Sequence, residues 1–193
     1  VNTVVLDKTG TVTEGKPKVT DLLPAPGRTE EELLCVAASL EALSEHPLAQ
    51  AIVAEAKDRS IPLCPVEQFE AIPGNGIQGD IQGEHFRAGN ARFLGSAVQS
   101  ADVDALAEAG KTPLFFTCNG ELMGTIAVAD PPKTDSLDAI RAMRELGLEV
   151  VMLTGDNRRT AEAVGRSMGG IQVIAEVLPQ DKERHVAELQ RKG

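Results

Sequence analysis

Tryptophan and tyrosine are missing from this chain, and five phenylalanines are its whole aromatic content. A core without larger rings must be packed from Val, Leu, Ile and Ala, which a 42% hydrophobic content over 193 residues allows. Positive charge is also short: 19 Lys and Arg stand against 29 Asp and Glu, for a formal net charge of −10. That disfavours nucleic acid as a partner, since nucleic acid needs a basic footprint, and none is expected. It also opposes generic attraction to anionic lipid. An anionic ligand would have to be met by local donors. No apolar run approaches the ~20 residues of a membrane-crossing helix. Cysteine is sparse. Cys35, Cys64 and Cys118 are far apart with no CxxC, so neither a disulfide framework nor a structural zinc site is expected. Each reads as a free buried thiol, in keeping with a reducing cytosol.

The two ends of the chain read alike and the middle reads differently. Thr3–Leu6 is a short apolar β-branched run, expected as a buried strand. From Asp135 onward helices and strands alternate: a helix over Ser136–Leu146, a strand over Glu149–Leu153, a helix over Arg158–Met168. A strand over Gln172–Ala175 and a helix from about Gln180 to Lys192 complete the run. Such alternation implies a parallel sheet with helices on its faces, and the opening strand belongs to that sheet. Between the ends, Thr29-Glu30-Glu31-Glu32 is a capping box for a helix through about Leu43. Pro47 suits the first turn of a second helix, Pro47–Lys57. After Phe69 come short strands with Gly turns, and Asn119-Gly120 between Leu114–Cys118 and Leu122–Val128 is a two-residue hairpin signal. The fold class is therefore α/β, with an inserted α+β domain built on an antiparallel sheet. Residues 1–17 and 129–193 form one domain and 18–128 the insert.

The most informative segment is Asp7-Lys8-Thr9-Gly10-Thr11, directly after the opening strand. Ligands of open α/β sheets bind outside the carboxyl ends of strands. A carboxylate there could attack phosphorus and split one difficult transfer into two steps. On spacing alone a plain turn is an equal reading, because Asp, Thr and Gly are all turn formers. Gly74-Asn75-Gly76-Ile77-Gln78-Gly79 fits GxGxxG literally. It fails as a dinucleotide fingerprint, because strand and turn follow it where a helix should.

Asp7–Thr11, continuing Val12-Thr13-Glu14-Gly15, resembles the phosphorylation motif of P-type ATPases. Ser44-Glu45-His46-Pro47-Leu48-Ala49 resembles the His-Pro motif of the heavy-metal class, and Ser39-Leu40-Glu41 through His46 is similar to its copper type. Thr154-Gly155-Asp156-Asn157, Asp130-Pro131-Pro132-Lys133 and Pro179-Gln180-Asp181-Lys182 resemble three further motifs, in the family's order. The resemblance implies a haloacid-dehalogenase-like parallel-sheet phosphorylation domain with the nucleotide-binding domain inserted. It implies that Asp7 accepts the phosphoryl group of ATP and that Lys8 contacts it. Thr154 and Gly155 would hold that group, Asp156 would order the site and Lys182 would neutralise charge. Asp7 and the carbonyl of Thr9 would bind Mg²⁺. Glu41 would accept from the adenine amino group, and the His46 ring would stack on or hydrogen-bond the purine. Gly74 and Gly76 would let the chain approach the nucleotide, and Gly89 and Asn90 match the last nucleotide-binding pair.

Thr9 stands where related soluble phosphatases carry a second Asp, so rapid hydrolysis of the acyl phosphate is less favoured. The family's Gly-Asp-Gly-x-Asn-Asp loop, which gives Mg²⁺ more carboxylate, is absent. The sequence stops at Gly193, about where that loop should begin, so weak Mg²⁺ binding and little activity in isolation are expected. The implied whole is a Cu(+)-exporting pump at the cytoplasmic face of a membrane. Its partners would be membrane-spanning and actuator domains and a metallochaperone. A Zn/Cd transporter of the same class, a soluble phosphatase of the same superfamily and a non-enzymatic nucleotide-binding module are the alternatives.

Overall fold

In the computed structural model, residues 2–46, 48–95, 101–178 and 181–190 are described, except for the side chains of 92, 101–103, 188 and 189. The chain runs β1 (Thr3–Asp7), β2 (Lys18–Pro24), α1 (Glu30–Glu41), α2 (Ala49–Asp58), β3 (Glu67–Ile72), β4 (Gly76–Ile81) and β5 (Glu84–Gly89). It continues through α3 (Ala91–Leu94), α4 (Ala101–Glu108), β6 (Thr112–Cys118), β7 (Glu121–Ala129) and α5 (Ser136–Glu145). The last elements are β8 (Glu149–Leu153), α6 (Arg158–Ser167), β9 (Gln172–Ile174) and α7 (Lys182–Gln190). Two compact units result. The first holds Val1–Lys16, Ala105–Thr112 and Asp130–Gly193, the second Pro17–Asp104 and Pro113–Ala129.

In the first unit β1, β8 and β9 are parallel, in the order β1-β8-β9. Val150, Val151, Met152 and Leu153 are buried along β8, the central strand of the three. β1 was expected to be buried but is half-buried through Leu6, because it has one described sheet neighbour. The core joins Val12, Ile140, Val150, Met152, Val164 and Met168. Helices of α/β units shield the sheet from water, and here α6 lies close on β9: a Cβ on Gly165 would stand 2.4 Å from Val173 Cγ2. Asp7 pairs in register with Leu153, so both strands end side by side.

The second unit is a six-stranded sheet in the order β2-β7-β6-β5-β4-β3. Leu33, Leu34 and Leu40 from α1 and Ile52 from α2 are buried with Phe116 and Ile126 from the sheet. The capping box forms: Thr29 Oγ1 accepts from Glu32 N at 3.1 Å and Glu32 Oε2 from Thr29 N at 3.0 Å. Asn119 and Gly120 both take positive φ, 50° and 87°, as a tight hairpin turn requires. α1 stops at Glu41, two residues short of the expected end, because the last turn tightens. Leu43 N donates to Leu40 O and Ser44 N to Glu41 O, three residues back. The second helix starts at Ala49; Pro47, expected in its first turn, lies outside the described residues. So do Gln180 and the last residues of the expected C-terminal helix.

Two of the three cysteines depart from expectation. Cys118 is buried, but Cys35 and Cys64 are half-exposed and their sulfurs touch at 3.6 Å. The fold brings together residues from α1 and from the loop after α2, which sequence spacing hides. Burial, with the Cys64 thiol beside it, pushes the Cys35 thiol up to about 11.

Candidate functional site

β1 delivers Asp7 to the carboxyl end of the parallel sheet, and the chain then turns back on itself over Lys8–Val12. Gly10 makes the turn possible with φ of 76°. Thr13 N closes it on Lys8 O at 3.0 Å. A second segment clasps the turn. Thr13 Oγ1 donates to Asp130 Oδ2 at 2.5 Å, and Lys16 N donates to Asp130 Oδ1 at 3.0 Å. Lys133 Nζ donates to Gly10 O at 2.9 Å, and Ser136 Oγ donates to Val12 O at 2.7 Å. The Asp130-Pro131-Pro132-Lys133 segment thus fixes the backbone that carries Asp7. Thr13 and Ser136 were not singled out for this role. The signal available was the Thr two residues beyond Thr11 and the Ser after Asp135.

Charge is paired across the turn. Lys182 Nζ donates to Asp7 Oδ1 at 2.8 Å, with both side chains partly exposed. Lys8 is buried, and its Nζ forms an ion pair with Asp156 Oδ2 at 2.5 Å. Thr154 follows β8, is buried, and its Oγ1 accepts from Asp156 N at 3.2 Å. Thr154 N is held by Ile174 O and Thr154 O by Val177 N. At Gly155 a Cβ would meet Val177 O at 3.2 Å. Asp7, Lys8, Thr154, Asp156 and Lys182 therefore form one cluster at the sheet's carboxyl edge, with Thr9 and Gly155 in the loops between them. Chemically it presents an exposed carboxylate with two ammonium groups in the same cluster.

The second unit holds the other six predicted residues in two places. Glu41 ends α1 buried, and desolvation pushes its carboxyl up to about 7 despite a hydrogen bond from Ser44. Ser44 Oγ accepts from His46 N at 3.2 Å. His46 lies ahead of α2, whose N-cap is Leu48, and not at the first helical turn. Its ring Nδ1 accepts from Leu48 N at 3.2 Å, which for a neutral ring leaves the proton on Nε2. Gly76 and Gly89 face each other across β4 and β5. A Cβ on Gly76 would lie 2.0 Å from Ala88 O, and one on Gly89 would lie 2.5 Å from Asn75 O. Their lack of side chains is thus needed by the sheet itself. Gly74 has φ of 74° and open space around it. Asn90 Oδ1 accepts from Phe93 N at 2.9 Å and caps α3, while its Nδ2 donates to Gly74 O. Leu40, next to Glu41, packs on Gly79 of β4.

The haloacid dehalogenase-like hydrolase model matches residues 1–193. Copper-transporting ATPase 1 of Rhizobium meliloti is 46% identical over 98% of this chain and 24% of its own length. The probable copper-transporting ATPase PacS of Synechococcus elongatus is 47% identical over 100% of this chain and 27% of its own length. The chain thus spans about a quarter of the length of these curated relatives. Among solved structures, a zinc-transporting PIB-type ATPase in its E2.Pi state matches 100% of this chain and 32% of its own, at 37% identity and a TM-score of 0.74. The catalytic domain of the CPx-ATPase CopB-B, studied for conformational changes upon nucleotide binding, matches 100% of this chain and 70% of its own at 26% identity and a TM-score of 0.73. With the parallel sheet, the carboxylate at its edge and a family match over its full length, this chain belongs to the haloacid dehalogenase-like hydrolases.

Proposed function

We propose that the chain is the ATP-binding, aspartate-phosphorylating part of a heavy-metal P-type ATPase of the copper-exporting kind. One observation carries this reading: Asp7 stands exposed at the end of β1 with Lys182 at 2.8 Å, while Lys8 is held by Asp156. Asp7 would attack the γ-phosphorus of ATP, forming an acyl phosphate as the bond to ADP breaks. Phosphoryl transfer asks little of a protein beyond positioning and charge. Lys8 and Lys182 supply the charge, and the clasp through Asp130 and Lys133 supplies the positioning. Thr154 and Gly155 would receive the transferred group, with Asp156 ordering Lys8.

Mg²⁺ is a hard cation that takes oxygen ligands and keeps several waters. The Asp7 carboxylate and the Thr9 carbonyl are oxygens at the turn where phosphate would arrive, so they fit such an ion. Among the described residues no group of three or more His, Cys, Asp or Glu is gathered, so phosphate oxygens and water would complete the shell. Bound there, Mg²⁺ would neutralise charge on the phosphoryl oxygens.

The second unit, with 18–128 as the insert, would take the adenine at Glu41 and His46 and the nucleotide's remaining length along Gly74, Gly76, Gly89 and Asn90. The curated relatives' names favour copper; the ion itself is selected by membrane helices outside this sequence. Among the described residues no helix is long and apolar enough to cross a membrane. Membrane-spanning and actuator domains are the partners this reading requires, and a metallochaperone would serve the whole transporter at the cytoplasmic face.

Two experiments test it. In calorimetry on this chain His46→Gln should weaken ATP binding at least tenfold with the fold intact; unchanged affinity removes the nucleotide assignment. Joined to the rest of the transporter and given labelled ATP and Mg²⁺, the chain should acquire phosphate that survives acid and is lost to hydroxylamine. Asp7→Asn should abolish that label, and label persisting in the variant would move the acceptor elsewhere.

A further inference from the structure

A cavity of about 500 Å³ opens on the second unit. Its lining includes Ile81 and Glu84, the end of the β4–β5 hairpin opposite Gly76 and Gly89. Cys35 and Cys64 stand in its wall with their sulfurs 3.6 Å apart. Neither the phosphoryl cluster nor the nucleotide residues make use of them.

The pair is held in place from both sides. Cys35 Sγ donates to Pro62 O at 3.3 Å. Ser39 Oγ donates to Cys35 O at 2.7 Å and accepts from Cys64 N at 2.8 Å, so one hydroxyl ties the two backbones together. A disulfide needs its sulfurs at about 2.05 Å. Two thiolates on one tetrahedral metal, each at about 2.3 Å, lie about 3.8 Å apart. The observed 3.6 Å is a thiol–thiol hydrogen-bond contact, too long for a disulfide, from which the sulfurs need little movement to reach the second figure. Met123, a thioether, lines the same cavity. Soft thiolate and thioether ligands select soft cations.

We propose that Cys35 and Cys64 bind one soft, thiophilic d10 cation through both sulfurs, at a site on the second unit separate from the phosphoryl and nucleotide sites. On binding, two metal–sulfur bonds form and two thiol protons leave to solvent. No electrons change hands, so no oxidant is required. Water entering through the cavity completes the coordination.

The test uses the reduced chain and cadmium(II) alone. One equivalent should bind, with an ultraviolet thiolate-to-cadmium charge-transfer band. Cys35→Ser and Cys64→Ser should each lose that band and bind more weakly by at least the roughly 10–100-fold that an outer-shell loss costs. Cys118→Ser should behave as the parent. In the unmutated chain, bound cadmium should protect Cys35 and Cys64, and not Cys118, from alkylation mapped by mass spectrometry. This readout stands even if a variant fails to fold. No band in the reduced parent, full binding by Cys64→Ser, or no protection at the pair would each overturn the proposal. So would a parent that forms the Cys35–Cys64 disulfide in air and, once reduced again, binds no cadmium.

Discussion

Glu41 ends α1 with its carboxyl out of water, and burial raises it from an ordinary 4.5 to about 7. Between those values the folded chain keeps a proton that the unfolded chain has released. Stability therefore falls as pH rises through this window and levels off above 7, by up to about 3 kcal/mol from this group. Glu41→Gln should exceed the parent in denaturant midpoint by much less at pH 5 than at pH 8; an equal gap at both would mean Glu41 does not titrate there. Nucleotide affinity should move the other way, if the ionised carboxyl accepts from the adenine amino group: it should rise with pH towards a plateau above 7. Lys8 and Asp156 give a second residue-scale test. Removing one partner of a buried pair leaves the other charge stranded, at about 3–5 kcal/mol when fully buried. Asp156 keeps a quarter of its side chain exposed, so Asp156→Asn should cost about 2 kcal/mol. Adding Lys8→Met should return part of that in a double-mutant cycle, and additive losses would mean the pair is not coupled. Asp7, Lys8, Asp156 and Lys182 each stand in a long motif, so sequence puts them forward as candidates. Their pairing could not be read there: Lys182 and Asp7 are 175 positions apart, and only the parallel sheet brings them together. Cys35 and Cys64 were misread for the same reason.

At the scale of elements, local signals were legible wherever the chemistry is local. The Thr29–Glu32 capping box and the Asn119-Gly120 turn each satisfy their own backbone, and both form as read. Strand and turn were read after the GxGxxG segment, and β4 runs on to Ile81 before a turn at Gln82 and Gly83. What sequence could not separate was why each glycine is there. Gly76 meets Ala88 O across the hairpin, so Gly76→Ala forces backbone apart and should cost roughly 1–3 kcal/mol or more, as overpacking does. Gly74 has open space and only a positive φ, so Gly74→Ala should cost about 1 kcal/mol, the usual cost of a left-handed L-residue. Denaturation and ATP calorimetry on both variants divide structure from binding. If Gly74→Ala loses nucleotide affinity while staying folded, Gly74 touches the ligand. If affinity is unchanged, it is a turn residue only.

Across the whole molecule the pattern changes along the chain, parallel βα alternation at the ends giving way to antiparallel hairpins in the middle, and the two sheets follow that change. Each unit accordingly has its own core. Leu33, Leu34, Ile52, Phe116 and Ile126 serve the second, and Val12, Ile140, Val150 and Met152 the first. A chain with two cores need not unfold in one step. Calorimetry should therefore resolve two thermal transitions. A ligand stabilises only what binds it, by about 2.7 kcal/mol at a hundredfold excess over its dissociation constant. A non-hydrolysable ATP analogue without Mg²⁺ should then raise the transition of the second unit and leave that of the first in place. Glu41→Gln marks the second unit's transition through its pH dependence, and Asp156→Asn marks the first through its loss of stability. Two transitions that rise together with the analogue, or an analogue that raises only the one lowered by Asp156→Asn, would place the nucleotide's main contacts outside Glu41, His46 and the glycine hairpin.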